Sequence, residues 1–174
     1  MMLERQIENI VDKLFHTKSG FPKTLFKDKG YTLFNDFYMM FDEEIWPQLQ
    51  YLAQKSRDHD IFIVDISRNL RGLKKKKAKV MSIPISLSSS EYINVLDQQG
   101  FIVESEKIIW FSQTASWGIW AERAWDICAL NSRFNLKDFY NWSPLNDSIL
   151  ELTQDQKVRG KRDINIKELK LNYK

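Results

Sequence analysis

Ser116-Trp117-Gly118-Ile119-Trp120-Ala121-Glu122-Arg123-Ala124-Trp125-Asp126-Ile127-Cys128-Ala129-Leu130 is two strand-like runs joined by a polar turn, the pattern of a β-hairpin. Side chains alternate across a strand, so Trp117, Ile119 and Ala121 share one face while Gly118, Trp120 and Glu122 share the other. On the return strand, taken as Trp125 to Leu130, Trp125, Ile127 and Ala129 oppose Asp126, Cys128 and Leu130. One face reads as core. The other gathers Trp120, Glu122 and Asp126 near Arg123, an aromatic anchor beside carboxylates and a guanidinium, and interfaces favour Trp and Arg at their energetic centre. These four residues are the candidate partner-binding patch. The competing reading packs Trp120 under a helix and pairs Arg123 with a local acid.

Working upstream, Phe101 to Glu104 and Ile108 to Ser112 read as two more strands, and the short gaps make all four runs antiparallel neighbours. Ser88 followed by Glu91 is a capping box, and Gly100 suits a helix end, so a helix is predicted over Ser89 to Gln99. Ile61 to Ile66 is an apolar, β-branched run suited to a central strand, and Met81 to Leu87 alternates as a strand in which Pro84 marks an edge or a bulge. Leu3, Ile7, Ile10, Val11 and Leu14 lie on one helical stripe, followed by a loop from Phe21 to Gly30. Phe34, Phe37, Tyr38, Phe41 and Ile45 repeat that spacing and predict a second helix, kinked at Pro47 before a short third one to Lys55.

Downstream, Asn135 with Asp138 caps a predicted short helix closed by Pro144, and another turn of helix is expected beyond Asp147. Ile164, Ile166, Leu169 and Leu171 alternate loosely, as a last strand would. The expected fold is α+β: N-terminal helices on a mostly antiparallel sheet of about five to six strands. Residues 1–156 form one domain, and residues 157–174 a basic tail or terminal strand.

Composition agrees with a packed core, since 43% of the 174 residues are hydrophobic and 13% aromatic, with six Trp and eleven Phe. A chain this long buries about 70% of its unfolded surface on folding. One cysteine allows no internal disulfide, and Cys128 with only His16 and His59 gives no zinc spacing. No cofactor or metal is expected. No apolar run reaches the roughly 20 residues of a membrane span, and the N-terminus lacks signal-peptide character, so a cytoplasmic protein without membrane partners is expected.

The net charge of +3 conceals a segregation. Arg68 to Lys79 holds seven basic residues and no acid, and the last 18 residues hold seven more against two acids, so these stretches carry +7 and +5 and leave −9 for the remainder. Arg68, Arg71, Lys74, Lys75, Lys76 and Lys77 can neutralise phosphates, which makes nucleic acid the alternative partner. That segment contains no aromatic residue for base stacking, and a solvated loop is its plainer reading.

Catalysis finds little support in the residue pattern. Glu122 and Asp126 are a carboxylate pair, but an acid/base role needs a cleft and a raised pKa on one member. Cys128 sits between Ile127 and Ala129 as a small hydrophobe, and His59 lies in an acidic turn. Arg71-Gly72-Leu73-Lys74 has no second glycine and no hydroxyl residue after its lysine, so it is no phosphate loop. No enzyme is expected.

The hairpin's Trp-Gly-Ile strand, Glu-Arg turn and Asp-Ile-Cys-Ala-Leu return resemble a sheet segment of immunity proteins from bacterial polymorphic-toxin and contact-dependent growth inhibition loci. The resemblance implies a compact, non-catalytic binder that neutralises a cognate toxin domain by occluding its active site. An acidic body speeds association with a cationic toxin, in keeping with that role.

Overall fold

The structure is a computed structural model that describes residues 2–28, 30–67, 79–158 and 165–173. It is an α+β fold in three layers, with helices on both faces of one six-stranded antiparallel sheet. The strands are β1 (Tyr31–Asp36), β2 (Asp60–Asp65), β3 (Val80–Pro84), β4 (Lys107–Ser112), β5 (Trp117–Glu122) and β6 (Ile127–Ser132), in spatial order β1-β6-β5-β4-β2-β3. The predicted hairpin is the β5–β6 pair, registered from Trp117↔Ser132 to Glu122↔Ile127. Its return strand starts later than predicted. Arg123–Trp125 is a 3-10 turn, and Asp126, at φ 53°, takes the left-handed conformation that redirects the chain into β6.

Alternation sorts the sheet between two cores. Leu33, Ile61, Ile63, Trp110, Trp117, Ile119, Cys128 and Leu130 face helices α2 (Ile45–Ser56), α3 (Ser89–Gln98) and α4 (Phe101–Glu104). Phe34, Phe62, Val64, Phe111, Trp120, Ile127 and Ala129 face α1 (Met2–Leu14), the loop after it, α5 (Asp147–Val158) and α6 (Ile166–Tyr173). Gly118 marks how closely Phe15, the residue after α1, approaches the sheet: a Cβ there would stand 2.5 Å from the Phe15 ring.

The predicted helix at Ser89 has its capping box, with Ser88 accepting from the Glu91 N–H and Glu91 accepting from the Ser88 N–H. β2 and β3 pair around the basic segment, and β3 with Pro84 is an edge strand. Five predicted elements take other forms. Tyr31–Asp36 is a strand, and a 3-10 helix (Phe37–Phe41) follows, because Asp36 caps the Tyr38 N–H at 2.6 Å. Pro47 falls in the first turn of α2, where its missing N–H costs nothing, so one helix runs through the predicted kink. Gly100, at φ 70°, reverses the chain into a single turn of helix at Phe101–Glu104 where a strand was predicted. The last segment is helix α6, capped by Asn165, and buries Leu169. Asn135–Tyr140 forms turns with left-handed backbone at Asp138 (φ 60°) and Tyr140 (φ 46°), in place of the predicted helix.

Candidate functional site

The structure places the four residues of the predicted patch around the β5–β6 turn, but buries Trp120, Glu122 and Asp126 and leaves Arg123 half-buried. Trp120 is 0% exposed, with its ring 6.1 Å from Phe15, and its indole N–H donates to Glu122 at 3.2 Å. Glu122 is 3% exposed: one oxygen pairs with the Lys107 ammonium at 3.2 Å and the other accepts the Phe21 N–H at 3.1 Å. The patch reading supposed one open sheet face, whereas α1, the 21–26 loop and α6 cover it. Charge reversal at Glu122 would therefore set two cations against each other and leave the Phe21 and Trp120 N–H groups unpaired, damaging the fold before any interface.

Arg123 is half-buried and braces its surroundings. Its guanidinium donates to the carbonyls of Ser105 (3.2 Å) and Ile102 (2.6 Å) and lies 4.8 Å from the centre of the Phe37 ring. Asp126 is 8% exposed, and its carbonyl accepts the Phe37 N–H at 2.9 Å. Its negative charge also helps hold the Asp36 carboxyl above its ordinary range, second to the effect of burial. Neither Glu122 nor Asp126 lines the pocket at Tyr51 or the groove at Thr32.

Cys128 is fully buried, and desolvation pushes its thiol well above the ordinary value, as suits a core side chain. Among the described residues no three His, Cys, Asp or Glu side chains converge where a metal could sit, and no helix is long and apolar enough to cross a membrane. Arg68, Arg71 and Lys74 to Lys77 lie outside the described residues. Lys79, the last cation of that run, is held by Glu104 at 2.5 Å.

A different surface stands out on the α2 side of the sheet. Glu44, Gln48, Tyr51 and Lys55 recur at helical spacing along α2, and the 135–142 segment packs along this stripe. The Trp142 indole donates to Gln48 at 2.9 Å, and the Tyr51 ring lies 5.8 Å from buried Phe139. Tyr140 stands edge-on to Phe139 at 4.9 Å while remaining 56% exposed. Tyr51, Leu136, Phe139 and Tyr140 line a shallow pocket of about 350 Å³, with Asn135 and Lys137 at its rim. Lys55 lies over the Tyr51 ring at 5.4 Å, and the exposed acids Asp42, Glu43 and Glu44 border the start of the same helix.

Tyrosine suits such a position, because a rigid ring offers a large contact area and its hydroxyl tolerates water. Left-handed non-glycine residues cost about 1–3 kcal/mol and persist only where surrounding contacts enforce them, which is common at binding surfaces. Sequence reasoning placed Phe139 and Tyr140 on an ordinary helix and so missed the pair. The signal to be read was the turn chemistry of Asn135, whose carboxamide accepts the Lys137 N–H at 3.1 Å. Comparison with family models, with curated proteins and with solved structures returns no match.

Proposed function

We propose that this chain is a non-catalytic binding protein whose Tyr51–Tyr140 surface holds a protein partner, and that the partner is a toxin domain it neutralises. The toxin is the partner class implied by the hairpin's resemblance to immunity proteins. The observation that carries the binding reading is the exposed tyrosine pair propped on Phe139 by strained backbone. Tyrosine is among the residues enriched at the energetic centres of interfaces, where a partner desolvates it. The acids Asp42 to Glu44 beside them favour a cationic partner, since complementary charge raises the encounter rate.

The test is co-expression with a growth-arresting C-terminal domain encoded by an adjacent gene. The wild type restores growth and co-purifies with the domain. Tyr140→Ala and Tyr51→Ala each weaken the complex about 30-fold, the size expected for an aromatic anchor worth about 2 kcal/mol. A complex indifferent to both substitutions, or no complex at all with the chain folded, removes the reading.

A further inference from the structure

We infer that the outer edge of β1 beside Thr32 is a docking site for an extended segment of a partner protein, which adds a short strand to the sheet and lodges an apolar side chain between Phe26 and Tyr173. The inference deepens the protein-binding reading and rests on it only for the class of partner.

β1 is the terminal strand, paired on one side with β6. Its outward edge already accepts a strand-like partner: the Phe34 N–H donates to the Ser143 carbonyl at 2.7 Å and the Ser143 N–H returns to Phe34 at 3.1 Å. Outward-facing groups recur every second residue, so the N–H and C=O of Thr32 point the same way as those of Phe34. The chain's own partner does not reach them. Continued antiparallel pairing would bring Leu145 opposite Thr32, but no hydrogen bond joins the two, and the chain enters α5 at Asp147.

Beside Thr32 lies a groove of about 560 Å³, lined by Phe26, Tyr31, Thr32, Pro144, Asn172 and Tyr173 among others. A residue opposite Thr32 on an added strand would direct its side chain toward the α6 face, the side on which Phe34 packs. Most of the polar side chains there are engaged, Asp28 by Arg133 at 3.1 Å among them. The Tyr173 hydroxyl donates to Lys23 O at 2.8 Å and accepts the Leu25 N–H at 3.0 Å, while the Asn172 amide donates to Pro22 O at 2.8 Å. That leaves rings and little hydrogen-bonding demand, so the fitting side chain is aliphatic or aromatic. Its sequence neighbours would point to the opposite side, against Tyr31, which is 62% exposed. The occupant is thus defined by main-chain pairing at one rung and by an apolar residue at that rung.

The test titrates the nitrogen-15-labelled full chain with a terminally blocked hexapeptide of alternating threonine and valine bearing one central leucine. The same peptide N-methylated at alternate amides serves as comparison. Binding at the edge moves the amide resonances of Tyr31, Thr32, Leu33 and Tyr173 together and slows exchange of the Thr32 amide. Affinity falls about tenfold on N-methylation, the loss expected for one main-chain hydrogen bond. Equal binding of both peptides, resonance shifts confined to the opposite edge at Val80 to Ser82, or no shift at the solubility limit overturns the inference. So do shifts that grow with protein concentration alone, which would assign the edge to a second copy of the chain. Tyr140→Ala leaves hexapeptide binding unchanged, so failure of the tyrosine surface and failure of the edge are separate results.

Discussion

The Glu122 carboxylate accepts the backbone N–H of Phe21 at 3.1 Å across 101 residues of sequence. This bond fastens the loop after α1 to the sheet, and α6 grips the far side of the same loop through Tyr173. Glu122 also neutralises Lys107 and satisfies the Trp120 indole. Replacement by Ala leaves three donors short of an acceptor, one of them charged, and should cost about 3 kcal/mol; Gln, retaining one acceptor, should cost roughly half. Lys107→Met leaves the buried Glu122 carboxylate with its two N–H donors but no counter-charge, and should cost about as much as the Gln substitution. Urea unfolding with an unchanged slope checks the order, and a neutral Glu122→Ala would contradict the strut.

The helical spacing of Ile7, Ile10, Val11 and Leu14 made α1 legible, as did the capping box before α3, because local chemistry specifies both. The β5–β6 pair was legible from alternation, yet the fate of its second face was not. Trp120, Glu122 and Asp126 read as an open polar face until the register places Lys107 opposite Glu122, a contact set by tertiary pairing. β1 was obscured because both its faces are covered, so Leu33 and Phe34 are equally apolar and the strand shows no alternation. In α6, Ile166, Leu169 and Tyr173 follow helical spacing, but Ile164 and Leu171 suggested a period of two. Leu171 is in fact 83% exposed.

A buried phenol makes stability fall in alkali. Tyr92 is fully buried: its hydroxyl accepts from the Trp110 indole and donates to Met40 O, both at 3.1 Å, and its ring stacks on Trp46 at 4.5 Å. Burial pushes this phenol above its ordinary 10.0, and burial also raises Tyr173. A group whose folded pKa exceeds its unfolded value contributes stability that is complete below the unfolded pKa and is lost as pH climbs beyond it. Each phenol should therefore steepen the decline above about pH 10 by up to about 1.4 kcal/mol per pH unit. Tyr92→Phe should remove its share of that slope while costing about 1–3 kcal/mol at neutral pH through the unpaired indole and carbonyl. Phenolate absorbance appearing for all tyrosines well before unfolding would refute this.

Asp36 carries the same sign of response into the acid range. Burial chiefly, and then the charge of Asp126, raise its carboxyl above 3.8, against the lowering effect of the Tyr38 N–H. The protonated form is thus favoured in the fold, and its contribution, complete below the unfolded value, is lost as pH rises through the raised one. An asparagine side chain at this position keeps a capping acceptor without the charge. Asp36→Asn should stabilise by under about 1 kcal/mol at neutral pH, a gain limited by solvent screening, and the gain should vanish below about pH 4. Urea midpoints at the two pH values decide it, and a destabilised variant at neutral pH would count against the argument.

Asp138 separates stability from binding. Its φ of 60° is costly for a residue with a Cβ but free for glycine, whereas most substitutions to glycine lose stability through chain entropy. Here the two effects oppose, so Asp138→Gly should be neutral or stabilising by up to about 1 kcal/mol. Tyr140, at φ 46°, obeys the same backbone rule but also contributes its ring contact with Phe139. Tyr140→Gly should therefore gain less than Asp138→Gly or lose slightly, while removing the exposed ring on which partner binding is proposed to depend. Thermal melts of the two variants, paired with the co-expression assay, set both effects side by side. If Asp138→Gly proves clearly destabilising, the loop is held by contacts of the Asp138 side chain, and backbone strain ceases to be the reason the tyrosine is presented.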